Sequence, residues 1–271
     1  MSCFVDFLFR SFPVRLLSCL LLSLLCFAAA PSRAQTQRTR IPDYNTIGWL
    51  VYNGDHQLSK NWQLHSELQL RRVHLIADPQ QLLARLGGIY QLSDRVSVSG
   101  GYTLFITYPY GDYPTAASGR SEPEHRLYED VSLTDALGRL QLTHRVRLEQ
   151  RWQAQFVDKS IDSWLFQNRI RYQLSLQLPL LGPTLDSHEP YLTAFDELFI
   201  SFGRNVQNNV FNQNRLAGGI GYQFSDNFRL DVQYLYQITQ HEEDAPGTTT
   251  PVFEYNHGIR TVLAYDLDFT K

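Results

Sequence analysis

Cysteine is almost absent from this 271-residue chain, and its three copies, Cys3, Cys19 and Cys26, all fall in the first 26 residues. Beyond them there is no material for a disulfide framework, a thiolate metal site or a cysteine nucleophile. Methionine occurs once, at Met1, and lysine three times, at Lys60, Lys159 and Lys271, so basic character rests on arginine. After residue 30 no apolar run approaches the roughly 20 residues that a membrane-crossing helix needs. Positive charge is not in excess either: 24 basic residues stand against 27 acidic ones. That balance argues against a nucleic-acid partner, which would call for a basic stripe.

The single apolar run, residues 16–30, follows Arg10 and Arg15 and ends among Ala28, Ala29, Ala30 and Ala34. A basic n-region, an apolar h-region and small residues are the layout of a secretory signal peptide, with cleavage expected after Ala34 or Ala30. A lipoprotein signal fits less well, because Leu25 is large for the position before Cys26 and Cys19 sits too early in the run. The expected organisation is therefore a signal peptide over 1–34, a short polar lead-in over 35–45, and one folded body over 46–271. Loss of residues 1–34 removes Arg10, Arg15, Arg33 and Asp6, leaving 21 basic and 26 acidic residues.

In that body, polarity alternates. Between Leu140 and Trp152, Gln141, Thr143, Arg145, Arg147, Glu149 and Arg151 fall on one parity, and Leu142, His144, Val146, Leu148 and Trp152 on the other. Successive strand side chains point to opposite faces, so this is a long strand with one apolar and one charged face. Residues 61–73, 163–178 and 227–240 repeat the pattern. Soluble strands average about five or six residues; runs twice that length, apolar on one face and polar on the other, describe a transmembrane β-barrel. Fifteen Tyr, 16 Phe and four Trp suit the aromatic girdles of such a barrel.

Strand-like runs are expected at 46–56, 61–73, 80–92, 95–108, 123–134, 138–155, 163–178, 190–202, 212–224, 227–240 and 253–269. In 190–202, Asp196 and Glu197 fall on both parities and the faces stay unassigned. Tight turns at 92–95, 135–138 and 224–227 alternate with longer links at 109–122, 156–162, 203–211 and 241–252; the long link at 179–189 breaks that rhythm. The eleven runs, set beside the even strand numbers of bacterial single-chain barrels, give an all-β, antiparallel up-and-down transmembrane barrel of about 12 strands, with 10 as the alternative. The closing Leu263, Tyr265, Leu267 and Phe269 are similar to the C-terminal pattern that outer-membrane assembly machinery recognises, although Thr270 and Lys271 follow.

Several phrases carry a resemblance: Trp62-Gln-Leu-His-Ser-Glu67-Leu-Gln-Leu-Arg71, Glu124-His-Arg126, His144-Arg-Val-Arg147-Leu-Glu149-Gln-Arg151, Asn168-Arg-Ile-Arg171-Tyr172, Glu197-Leu-Phe199 and Asn214-Arg215. In this order, over about residues 46–269, they resemble the outer-membrane family called domain of unknown function 2490. The resemblance implies an integral barrel in the outer membrane of a Gram-negative cell; it brings no activity and no catalytic residues.

The inward parity gathers Glu67, Arg71, Arg85, Arg145, Arg147, Glu149, Arg151, Arg169, Arg171, Arg215, Arg229 and Asp231, with Arg126, Asp130 and Glu124 expected to join them. Like charges two apart on one face repel, so Arg145, Arg147 and Arg151 require acidic partners on neighbouring strands. Two roles fit: an ion-paired network that fills a narrow barrel, or a basic constriction that selects anions.

Catalytic signals are weaker. Outward His144 has no serine two residues away on its face, His65 and Ser66 point opposite ways, and Ser187-His188-Glu189 is adjacency rather than triad geometry. His241-Glu242-Glu243-Asp244 reads as an acidic loop rather than a metal site. Gly218, Gly219 and Gly221 mark a bend or close strand packing. The expectation is a non-enzymatic structural or solute-permeation barrel without cofactor or metal. Its partners would be outer-membrane lipid, the assembly machinery and an unidentified small solute. The alternatives are an outer-membrane lipid hydrolase of phospholipase or lipid A deacylase type, and a binding or assembly protein acting through loops 109–122 and 241–252.

Overall fold

The structure, a computed structural model, describes residues 39–114, 116, 118–206 and 209–270. The expected signal peptide over 1–34 and most of the expected lead-in lie outside the described residues, as does Lys271. Eleven strands follow one another: β1 (Ile41–Gln57), β2 (Trp62–Val73), β3 (Asp78–Gln91), β4 (Val96–Thr107), β5 (Glu122–Leu137) and β6 (Leu140–Val157). The second half is β7 (Ser160–Pro179), β8 (Glu189–Phe202), β9 (Phe211–Ser225), β10 (Phe228–Asp244) and β11 (Pro251–Tyr265). Each pairs antiparallel with the next, and β1 pairs with β11 to close the barrel. Among the described residues no helix is long and apolar enough to cross a membrane.

All eleven alternating runs are strands, so the count among the described residues is eleven against the expected twelve or so. Hairpins reverse direction at every step, and an odd number leaves the first and last strands pointing the same way. The closing pair is therefore parallel, in register from Ile41↔Val252 to Asn53↔Ala264. β1 begins at Ile41, inside the segment read as lead-in.

The two rims differ. At one, which we call the turn end, links 58–61, 92–95, 138–139 and 226–227 are tight, and only 180–188 is long. At the other, the loop end, 108–121, 203–210 and 245–250 accompany the short 74–77 and 158–159. The longer link expected at 156–162 is two residues, because β6 and β7 both continue into it. The turn expected at 135–138 moves to Gly138-Arg139, where Gly138 takes φ +62°, the left-handed conformation that two-residue hairpins require. Past Tyr265 the chain stays beside β1: Gln57 donates its backbone N–H to Leu267 (2.8 Å), and Phe269 donates to Gln57 (3.0 Å).

Outward positions carry exposed apolar side chains such as Leu50, Leu70, Leu86, Leu127, Val131 and Ile220. Aromatic pairs gather toward each rim. Trp62–Tyr90 (5.0 Å) and Phe224–Phe228 (5.2 Å) lie toward the turn end, Tyr44–Tyr255 (5.4 Å) and Trp152–Phe166 (5.2 Å) toward the loop end. Inside, Ile47, Trp49, Val51, Phe195, Ala217, Leu235 and Val262 make an apolar wall across β8 to β11 and β1. The strands β2 to β7 face it with charge.

Candidate functional site

Alternation alone turns the charged residues inward; register decides which of them meet. Glu67, Arg71, Arg85, Arg126, Arg145, Arg147, Glu149, Arg151, Arg169, Arg171 and Arg215 all project into the lumen, from β2, β3, β5, β6, β7 and β9. The β5–β6 register sets Asp130 opposite Arg147, whose Nε donates to the carboxylate at 2.8 Å. Glu124 accepts from Arg126 of its own strand (2.7 Å) and from Arg151 of β6 (2.5 Å). Glu149, 1% exposed, takes Arg169 and Arg171 at 2.6 Å each. Arg85 pairs with Glu67. Arg145 finds no acid on an adjacent strand; it passes β7 to reach Glu197 of β8 at 3.0 Å.

Glu197 is thus the inward member of the pair that the sequence could not orient, and Asp196 faces out, where it accepts from Asn214 at 2.8 Å. Three guanidiniums converge on Glu197: Arg171 at 2.5 Å, Arg145 at 3.0 Å and Arg215 at 3.8 Å. Between the charges lie inward aromatics. Arg71 stacks over Trp49 and Arg126 over Phe105, both at 3.9 Å, Arg147 over Tyr128 at 4.2 Å and Arg171 over Phe199 at 4.5 Å. A ring face draws a guanidinium without requiring a counter-charge, at about 0.5–2 kcal/mol each. These aromatics escape sequence reading because they interrupt a polar parity.

The loop end is packed shut. Tyr110, from the 108–121 link, enters the mouth and donates to Glu254 at 2.9 Å. Burial, with the Glu254 carboxylate beside it, holds this phenol well above its usual pKa range. Trp49 donates to Gln80 at 3.0 Å, and Ala116, Val206, Asn209 and Ala245 of the loop-end links are buried. His241 reaches Glu254 at 3.1 Å, while Glu242 accepts from Gln153 at 3.1 Å. The supposed acidic loop is thus the end of β10, with His241 and Glu242 committed inside the mouth and Glu243 and Asp244 exposed.

Toward the turn end the lumen is open. A cavity of about 670 Å³ runs from the rim to a floor formed by Arg71, Arg126, Arg169, Phe199 and Arg215. Its sides carry short polar residues, among them Ser97, Ser132, Thr143 and Ser175. Gly221 keeps the wall close: a Cβ there would lie 2.2 Å from the Tyr191 ring.

The candidate nucleophile–base pairs do not assemble. His65 turns inward and meets Asp55 at 2.6 Å, away from Ser66. Outward His144 bonds the Tyr172 hydroxyl at 2.8 Å and has no serine partner among the described residues. Ser187 bonds Asp226 at 2.5 Å rather than His188. Sequence reading missed one pair, His56 and Ser66, which the β1–β2 hairpin brings to 2.9 Å on the outward face. Its proton is on the wrong nitrogen for a base: Nδ1 accepts the Leu267 backbone N–H at 3.1 Å, so the neutral ring carries hydrogen on Nε2 and donates to the serine. Only the hairpin register could have revealed this pair.

A family model described as "Protein of unknown function (DUF2490)" matches residues 46–246. No curated protein matches the chain. Among solved structures it is similar to the β domain of the Bordetella autotransporter BrkA, at 9% identity and a TM-score of 0.38, over 76% of this chain and 84% of that one. A likeness of that size carries no weight for activity.

Proposed function

The chain belongs to the DUF2490 family, and for this member we propose an integral outer-membrane barrel of non-enzymatic, structural type whose lumen is sealed at mid-height. The observation that carries the reading is the layer of guanidiniums, carboxylates and aromatic rings on which the cavity ends. Strands of 12 to 20 residues with an apolar outside and two aromatic bands support insertion in a membrane. Short turns on one rim and longer loops on the other support a periplasmic turn end and an extracellular loop end. The cavity then opens to the periplasm, and the packed mouth faces outward.

Buried ion pairs add little net stability, since desolvation offsets attraction. Their use here is to close the lumen and to fix register, because a one-residue slip of a strand would turn that strand's inward arginines toward lipid. Planar-bilayer recording of the refolded protein tests the seal. Silence at moderate voltage is expected, and resolved, anion-preferring unitary currents would replace the sealed barrel by a pore.

A further inference from the structure

We infer that the turn-end cavity is a binding site for a small, multiply charged phosphate ester with a hydroxylated body. This rests on the sealed lumen proposed above, which makes the cavity a cup instead of a passage. Ten arginines and five carboxylates line it. Adding Glu124 and Glu149, which stand behind the lining and serve Arg126, Arg169 and Arg171, raises the acids only to seven. Positive charge in the cup is therefore in surplus, and a concave wall carrying one sign of charge focuses its field on an entering anion.

The surplus has an address. Among the described residues, Arg71 bonds only amide oxygens, Gln69 and Gln81 at 2.8 Å each from Nε and Nη1. Arg260 bonds Gln233 at 2.6 Å and has no carboxylate within ion-pair distance among the described residues. Arg145 shares Glu197 with two other guanidiniums. Arg147, 3% exposed, keeps Nη1 buried and without a hydrogen-bond partner among the described residues. Guanidiniums from β2, β6 and β11 thus line one polar space, and Arg145 and Arg260 hold unused donors there. Planar forks match the oxygens of a phosphate in pairs. Above this floor the walls set hydroxyls and amides beside an apolar strip that includes Val51, Phe195 and Val262, a mixture that suits the hydroxyls and C–H faces of a phosphorylated polyol. A volume of about 670 Å³ falls within the range of small-molecule sites, about 300–1,000 Å³.

Calorimetric titration of the refolded full chain, in a non-ionic detergent, with glucose 6-phosphate tests the site. Pyrophosphate reports on charge alone and glucose on hydroxyls alone. One-to-one binding of glucose 6-phosphate, weaker binding of pyrophosphate and no heat with glucose are expected. The double substitution Arg145→Gln/Arg260→Gln should weaken the phosphate ester at least tenfold. Without ligand this variant should melt at the same temperature as the parent or higher, because it removes repulsion. Millimolar glucose 6-phosphate should raise the melting temperature of the parent only. Absent heat, binding indifferent to the double substitution, or a ligand-free variant that melts lower would each overturn the inference. Tighter pyrophosphate than glucose 6-phosphate would overturn the hydroxylated body. A barrel that conducts yet binds overturns the seal and leaves the site standing; a silent barrel without heat removes the site alone.

Discussion

The two halves of the lumen are built from the same eleven strands, yet the loop-end half is packed with buried side chains and the turn-end half encloses a cavity of about 670 Å³. Inward side-chain length makes the difference. Along β6 toward the turn end, the inward series runs Arg151, Glu149, Arg147, Arg145, Thr143, Gln141; along β5 it runs Glu124, Arg126, Tyr128, Asp130, Ser132, Thr134. Long side chains reach across and meet; short ones stop at the wall and leave space. A barrel of one diameter can thus be solid at one level and hollow at another, with no change in strand number.

The sharpest break in this comparison would come from topology. In a background with Cys3, Cys19 and Cys26 replaced by serine, Thr249→Cys in the loop-end link should react on intact cells with a membrane-impermeant maleimide. Arg139→Cys in a turn should react only after lysis. The reverse pattern would turn the cup outward. Next in size is Glu149→Gln, which leaves Arg169 in the packed half without a carboxylate and takes one of two from Arg171. A loss of about 3–5 kcal/mol is expected for a buried pair broken from one side, read from guanidinium unfolding in micelles. A loss under about 1 kcal/mol would mean that the layer is more hydrated than its burial indicates.

Tyr110→Phe removes the hydroxyl that satisfies Glu254 in the loop-end mouth. A hydrogen bond to a charged group contributes about 1.5–3 kcal/mol, and the same unfolding measurement should show a cost in that range. Thr143→Ala, in the wall of the open half, is the contrasting probe. It should shift stability by no more than about 0.5 kcal/mol, and a larger cost would show that the cup wall is bound into a network of its own.

Much of the frame is legible in the sequence because alternation is a local property. Arg145, Arg147 and Arg151 had to share a face whatever their neighbours were, and long runs apolar on one face and polar on the other had to be strands. Partnership is not local. That Arg145 skips a strand to Glu197, that Glu149 serves two arginines of β7, and that His56 rather than His65 meets Ser66 all depend on register across hairpins. Glu197 itself could not be oriented, since Asp196 beside it is equally polar and faces out. The Tyr110 plug escaped for a further reason: a link rich in Pro, Gly and Tyr shows no periodicity from which to predict that it folds inward.

The parallel seam between β1 and β11 has a consequence for ancestry. A barrel that gains or loses material by hairpins changes its strand number by two, so the first and last strands stay parallel however often this happens. Relatives of this chain with nine or thirteen strands are reachable by such steps, whereas ten or twelve would require a single strand to be added or deleted and the seam to be rebuilt antiparallel. Strand parity is in this sense heritable, and it also sends the two ends of the barrel domain, at Ile41 and Tyr265, to opposite rims. A reporter fused after residue 265 and another placed before residue 41 would report from different sides of the same wall.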